Sequence, residues 1–351
     1  MNYLFLHCRA GFEKECAAEI SDLANDAEIY GYSKTKDNSA YVTFITHEPD
    51  GAMQLQKKLG FRKLIFTRQW FVTQAPITDL PVTDRVTPLL KAAQDFPIAR
   101  ELVIETVDTN DGKELSTLSK KFTGPFSNAL RKHQRLDNRS PWRLHLIFIT
   151  GTEAYLGVSF YTNSSQWSMG IARLRLPKDS PSRATLKLEE AWHHFIPAAE
   201  WDDRLASGMR AVDLGAAPGG WTWQLVQRGM YVEAVDNGPM DKNLLETGQV
   251  LHILTDGFLY EPKKKVDWLV CDIVDKPARV TSMIIQWFAK GHCREAIFNL
   301  KLPMKQRYLE VKKCEQRILK ELGNAGLKVD IQFKQLYHDR EEVTGHLRVF
   351  K

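Results

Sequence analysis

Residues 211–221 read Ala-Val-Asp-Leu-Gly-Ala-Ala-Pro-Gly-Gly-Trp, an apolar run that ends in a carboxylate and passes into a glycine-rich turn. Thr222-Trp223-Gln224-Leu225-Val226 follows with helical character. A strand, a glycine turn and a helix bring bare backbone and a helix N-terminus up to a nucleotide-like ligand. The spacing is Gly-x-x-x-Gly-Gly, whereas dinucleotide sites use Gly-x-Gly-x-x-Gly. Pro218 also removes a backbone N–H that a pyrophosphate cradle would use. S-adenosylmethionine carries no phosphate and tolerates that loss, so it is the better fit.

Further residues fall where such a site needs them. Asp236 closes the run Tyr231–Val235, 21 residues after Gly215, where a carboxylate can accept from ribose hydroxyls. Asp256 follows a third apolar run and can meet an adenine amino group. Asp272 ends the run 266–271, and Lys301 ends the run 296–300. In an open parallel sheet, ligands bind outside the carboxyl ends of the strands, and Asp213, Asp236, Asp272 and Lys301 all occupy such ends. Any one of these acids, taken singly, reads as a solvated loop carboxylate; Lys187 singly reads as an exposed helix lysine. A lysine closing an apolar strand, as Lys301 does, is less ordinary.

The turn at 217–221, with Ser182-Arg183-Ala184-Thr185-Leu186-Lys187-Leu188-Glu189-Glu190-Ala191, resembles the heat-shock-type 2′-O-ribose RNA methyltransferases. Their Lys-Asp-Lys-Glu tetrad maps by motif onto Lys187, Asp272, Lys301 and Glu342. Asn299-Leu300-Lys301-Leu302-Pro303 and Leu336-Tyr337-His338-Asp339-Arg340-Glu341-Glu342-Val343 are closer still to particular members of that family. Those members join a THUMP-bearing N-terminal region to the catalytic domain and methylate a cytidine of 23S rRNA. The resemblance therefore spans nearly the whole chain. Two departures stand out: Ala184 replaces a serine of some relatives, and the Glu341-Glu342 pair leaves the fourth tetrad member one residue ambiguous.

The resemblance implies S-adenosyl-L-methionine as methyl donor. Its expected contacts are Ser182, Ala217, Pro218, Gly219, Gly220, Asp236, Asp256 and Asp272. It also implies roles that suit the chemistry. A ribose hydroxyl must lose its proton to attack, and a neutral lysine can take it; Lys301 is the expected base. Lys187 is the supporting cation, Asp272 positions Lys301, and Glu342 orients Lys187 or the sugar. No metal is assigned, because His193-His194 has no third ligand at suitable spacing.

Between Leu115 and Arg143 the basic residues Lys120, Lys121, Arg131, Lys132, Arg135, Arg139 and Arg143 face a single acid, Asp137. Phe122, Phe126, His133 and Trp142 are interleaved. Phosphate contacts plus stacking on unpaired bases hold structured RNA, so Lys120, Lys121, Arg131, Lys132 and Arg135 are the expected RNA contacts. The competing reading is a solvated helix face with its phenylalanines in the core. Lys263-Lys264-Lys265 and Lys305, Arg307, Lys312 and Lys313 are lesser basic clusters.

These residues must be carried by a chain of 351 residues, 43% apolar, with a net charge of +5 and neither half strongly polarised. No apolar run is long enough to span a bilayer, and the N-terminus lacks the pattern of a signal peptide. Five cysteines at spacings that match no zinc or redox motif predict free thiols in a reducing cytoplasm. The fold expected is α/β. A ferredoxin-like α+β unit occupies 1–75, a THUMP-like RNA-binding domain 76–163, a linker 164–183, and a Rossmann-like methyltransferase domain 184–351. The expected protein is a cytoplasmic monomer whose partner is 23S rRNA and not a membrane. The alternatives are a methyltransferase for tRNA or another RNA, a catalytically silent rRNA-binding assembly factor and, more remotely, a NAD-dependent oxidoreductase.

Overall fold

The computed structural model describes residues 1–350, which divide between Ala172 and Arg173 into two compact units. The first unit opens with β1 (Tyr3–His7), α1 (Glu13–Asp26), β2 (Gly31–Thr35), β3 (Tyr41–Thr46), α2 (Gly51–Lys58) and β4 (Gln69–Thr73). It continues with α3 (Val86–Ala92), β5 (Glu101–Thr106), α4 (Asn110–Glu114), α5 (Ser116–Lys132), β6 (Trp142–Phe148) and β7 (Ala154–Phe160). The first six elements make a βαββαβ unit of strand order β2-β3-β1-β4, the ferredoxin-like arrangement. Helix α1 buries Cys16, Ile20 and Ala24, spaced four apart on one face.

The stretches expected as separate units, 1–75 and 76–163, share one seven-stranded sheet, β2-β3-β1-β4-β7-β6-β5. The join is short: β4 meets β7 through Val72↔Val158 and Thr73↔Gly157. Residues 164–172, expected as part of the linker, belong to this first unit. The Gln69 amide donates to the Ser165 carbonyl at 3.1 Å and the Arg143 guanidinium donates to the same oxygen. Met169, Ile171 and Ala172 are buried.

Helix α5 runs straight through Gly124-Pro125, a pair that reads locally as a break. Phe122, Phe126 and Leu130 lie on one buried stripe. That burial outweighs the hydrogen bond Pro125 cannot make.

The second unit contains α6 (Thr185–Phe195), α7 (Trp201–Arg204), β8 (Arg210–Leu214), α8 (Gly220–Gln227), β9 (Tyr231–Val235), α9 (Lys242–Glu246) and β10 (Val250–Ile253). It ends with β11 (Val266–Cys271), α10 (Pro277–Ala289), β12 (Cys293–Lys301), α11 (Arg307–Asn324), β13 (Val329–Lys334) and β14 (Glu342–Val349). Strand order is β10-β9-β8-β11-β12-β14-β13. The first five are parallel and β14 runs antiparallel to both neighbours. Val212, Leu214, Leu269, Val270, Ile297 and Phe298 are fully buried, as central parallel strands require. From β8 the chain steps outward to β9 and β10, then returns to β11 on the other side of β8. The carboxyl ends of β8 and β11 thus form the switch point where open α/β sheets hold ligands.

Candidate active site

Four side chains close into a ring at the carboxyl ends of the strands. Lys187 Nζ stands 2.5 Å from Glu342 Oε1 and 3.3 Å from Asp272 Oδ2. Lys301 Nζ stands 2.7 Å from Asp272 Oδ1 and 3.6 Å from Glu342 Oε1. Each lysine nitrogen lies within 4 Å of both carboxylates, and each carboxylate within 4 Å of both nitrogens. The fold dictates this. Asp272 follows β11, Lys301 ends the neighbouring β12, and the β12–β14 register sets Lys301 opposite Glu342. Lys187 arrives from the first turn of α6. That turn is pinned by Thr185, whose hydroxyl donates to the Gly220 carbonyl at 3.0 Å.

The register also separates the two adjacent glutamates. The Glu342 side chain is 7% exposed and lies in the ring, whereas Glu341 is 64% exposed and pairs with Arg307 at 2.7 Å. Burial pushes the Lys187 ammonium toward neutrality, but the Asp272 and Glu342 carboxylates outweigh it and hold its pKa above the ordinary lysine value. Burial likewise works against the Asp272 charge, and Lys187 and Lys301 together bring that carboxyl below its usual range.

Beside the ring lies a cleft of 420 Å³ whose walls include Gly215, Ala217, Asp236, Asp256, Phe258, Asp272 and Val274, drawn from the ends of β8, β9, β10 and β11. Asp236 accepts from the Ala217 N–H at 3.0 Å and the Gly238 N–H at 2.7 Å, which fixes its carboxylate against the turn. Asp256 is exposed and accepts from the Phe258 N–H at 2.9 Å. The turn itself needs glycine. Gly219 has φ +118°, and a Cβ there would come within 2.4 Å of Leu244 Cδ1. Asp213 is wholly buried under this turn, held by the Thr222 hydroxyl at 2.7 Å, and its Oδ1 has no hydrogen-bond partner. Burial, reinforced by the Asp272 and Asp236 charges, pushes its carboxyl up to about 7.

The comparisons with known proteins agree along the whole chain. The RlmM ferredoxin-like domain profile matches residues 1–71, the ribosomal RNA large subunit methyltransferase M N-terminal profile 84–160, and the FtsJ-like methyltransferase profile 181–316. The ribosomal RNA large subunit methyltransferase M of Cellvibrio japonicus is 71% identical over 350 residues, covering 100% of both chains. Proteins of the same name from Pseudomonas fluorescens and Stutzerimonas stutzeri are 55% and 54% identical over 99% of this chain and 97% and 99% of their own. The chain belongs to the ribosomal RNA large subunit methyltransferase M family.

Within that family frame the remaining expected residues sort by position. Ala217, Asp236, Asp256 and Asp272 line the cleft. Pro218, Gly219 and Gly220 form the turn behind it. Ser182 buttresses that turn: a Cβ on Gly220 would approach Ser182 Oγ to 2.4 Å. On the first unit, Lys120, Lys121, Arg131 and Lys132 are exposed along α5. Arg135 is different, because its guanidinium donates to the Ala93 carbonyl at 3.0 Å and to the Phe96 carbonyl, tying the chain after α5 to the end of α3. Arg143 is buried against Glu101 at 2.7 Å. Phe122 and Phe126 are core residues and Trp142 stacks on Phe160 with centroids 4.1 Å apart, so none of the three is a free stacking platform.

Sequence reasoning gave no role to three residues behind the ring: Asn299, Thr344 and Asp339. Asn299 Nδ2 donates to Asp272 Oδ1 at 2.8 Å, Thr344 bonds Asn299, and Asp339 bonds Thr344. A signal existed for the first: an asparagine inside an apolar strand, two residues from Lys301, must find a buried partner on the same face.

Proposed function

We propose that this protein transfers a methyl group from S-adenosyl-L-methionine to the ribose 2′-hydroxyl of a cytidine in 23S rRNA, with Lys301 as general base. The observation that carries the reading is the closed Lys187–Asp272–Lys301–Glu342 ring on the rim of the switch-point cleft. Its cleft offers backbone and two strand-end carboxylates, Asp236 and Asp256, which suit a ligand bearing hydroxyls and an amino group and no phosphate. When bound, the cofactor supplies an electrophilic methyl on a positively charged sulfur.

The rest is done by the chain. Lys187, bridged to both carboxylates and held charged, is the standing cation that favours an alkoxide nearby. That leaves Lys301, the more exposed of the two amines (21% against 15%), to meet the sugar hydroxyl and take its proton. Asp272 aims Lys301, and Glu342 aims Lys187. Only the free amine can accept a proton, so Lys301 enters the step neutral, and two positive and two negative charges balance in the ring once it has taken the proton. The cleft and ring together hold donor and hydroxyl in line, and alignment contributes much of the rate of such a displacement.

The relatives named for ribosomal RNA large subunit methylation support 23S rRNA as substrate, and the THUMP-like reading of 76–163 makes the first unit the RNA-holding part. Among the described residues no helix is long and apolar enough to cross a membrane, and all five cysteines are free and buried. Both facts are compatible with a monomer working in the cytoplasm, where rRNA is made. The test is incubation with unmethylated 23S rRNA and isotopically labelled S-adenosylmethionine, followed by mapping of the label. A single 2′-O-methylcytidine is expected. Label on a base, or on tRNA in preference to rRNA, would overturn the assignment.

A further inference from the structure

The ring is backed by a buried chain whose hydrogens can be counted. Asn299 and Thr344 are wholly buried and Asp339 is 1% exposed. The Asn299 amide lies between Asp272 Oδ1 at 2.8 Å and Thr344 Oγ1 at 2.8 Å. Asp272 is an ionised acceptor held by two lysines, so the amide must turn its NH₂ toward it. Asn299 Oδ1, which only accepts, then faces Thr344, and the single hydroxyl hydrogen of Thr344 is committed to it. Thr344 Oγ1 also lies 3.0 and 3.2 Å from the two oxygens of Asp339. With its hydrogen already spent, Thr344 can only accept there, and the donor must be Asp339. A carboxylate has no hydrogen to give; a carboxylic acid has one.

We propose that Asp339 is a neutral carboxylic acid that, through Thr344 and Asn299, fixes the Asp272 carboxylate in its bond to Lys301, and so acts as a positioning residue for the base. This rests on the reading of Lys301 as the base. The surroundings of Asp339 agree with the hydrogen count. Burial, then the Glu342 charge on β14, pushes its carboxyl well above the usual range; Glu190 on α6 adds to this and Lys187 on α6 opposes it. The Leu336 N–H donates to Asp339 Oδ2 at 2.9 Å, so the acid also closes the loop before β14. Every link runs one way: Asp339 donates to Thr344, Thr344 donates to Asn299, and Asn299 donates to Asp272. Hydrogen bonds aligned in this manner polarise one another in a low-dielectric interior.

The test uses the full-length protein, single-turnover methylation, calorimetric binding of S-adenosylhomocysteine, and infrared difference spectroscopy. The wild type minus Asp339→Asn spectrum is expected to contain a protonated-carboxyl carbonyl band. Carboxylate bands alone would overturn the proposal whatever the kinetics. Asn keeps a donor for Thr344 and an acceptor for Leu336, so Asp339→Asn should retain the rate to within roughly threefold. Thr344→Val removes the relay with little change of shape and should lower the rate about tenfold or more, with ligand binding unchanged and Thr344→Ser restoring it. If Asp339→Asn is as slow as Thr344→Val, or Thr344→Val is as fast as wild type, the relay does not position the base. Lys301→Ala separates the two claims. A fast Lys301→Ala removes the base itself; an inactive one beside a failed relay removes only the relay.

Discussion

A base and an electrostatic partner can be told apart by what each tolerates. Lys301→Ala should lower single-turnover methylation by about 10² to 10⁴ while donor and RNA binding stay nearly intact, because proton removal is needed only in the transition state. Lys301→Arg should fail almost as badly, since a guanidinium keeps its proton at working pH. Lys187→Ala should also be severe, by leaving Asp272 and Glu342 undercompensated. A Lys301→Arg enzyme near wild-type rate would pass the role to Lys187 or to solvent. Asp213 gives a stability prediction of definite sign. Its folded carboxyl is raised to about 7, whereas an unfolded one sits at about 4. Between those values the folded state binds the extra proton, so its contribution to stability is complete below the lower value and is lost as pH rises through the upper. Urea unfolding of Asp213→Asn should therefore be less pH-dependent than wild type from pH 4 to 7, and parallel curves would remove Asp213 as the cause.

At the scale of elements, the turn between β8 and α8 concentrates the constraint. Gly219→Ala puts a side chain at φ +118° and against Leu244, and should cost about 1–3 kcal/mol by denaturant titration, with weaker cofactor binding by calorimetry. Unchanged stability and binding would mean that the turn has slack. This turn was also the most legible element in the sequence, because glycine spacing, an apolar run and strand-end acids are all local signals. Asp272 and Lys301 were legible as strand-end residues, whereas Lys187 and Glu342 were legible only through motif resemblance; nothing in local sequence says that these two, 155 residues apart, meet at 2.5 Å. Local signals alone would break a helix at Gly124-Pro125, yet α5 continues through it because the Phe122–Phe126–Leu130 stripe overrides the break. They also could not separate Arg135 from its exposed neighbours, since its partners are carbonyls some forty residues earlier in the chain.

For the whole molecule, that distinction divides the basic segment into two tasks. Charge reversal at Lys120, Lys121, Arg131 and Lys132 should weaken rRNA binding and flatten its dependence on salt, at little cost in folding. Arg135→Glu should instead lower thermal stability, because it removes the tie between α3 and the chain after α5. A quadruple variant with unchanged RNA affinity would return this face to plain solvated surface. The narrow seam in the first sheet bears on how the chain is made. The β4 strand ends at Thr73 and its partner β7 begins at Ala154. At roughly 5–20 residues per second, a ribosome takes on the order of 5–15 s to deliver the second strand after the first. For that time the nascent ferredoxin-like half carries a bare strand edge, the kind on which chains stick to one another. Translation speed between codons 74 and 160 thus sets how long the newborn protein is exposed to aggregation.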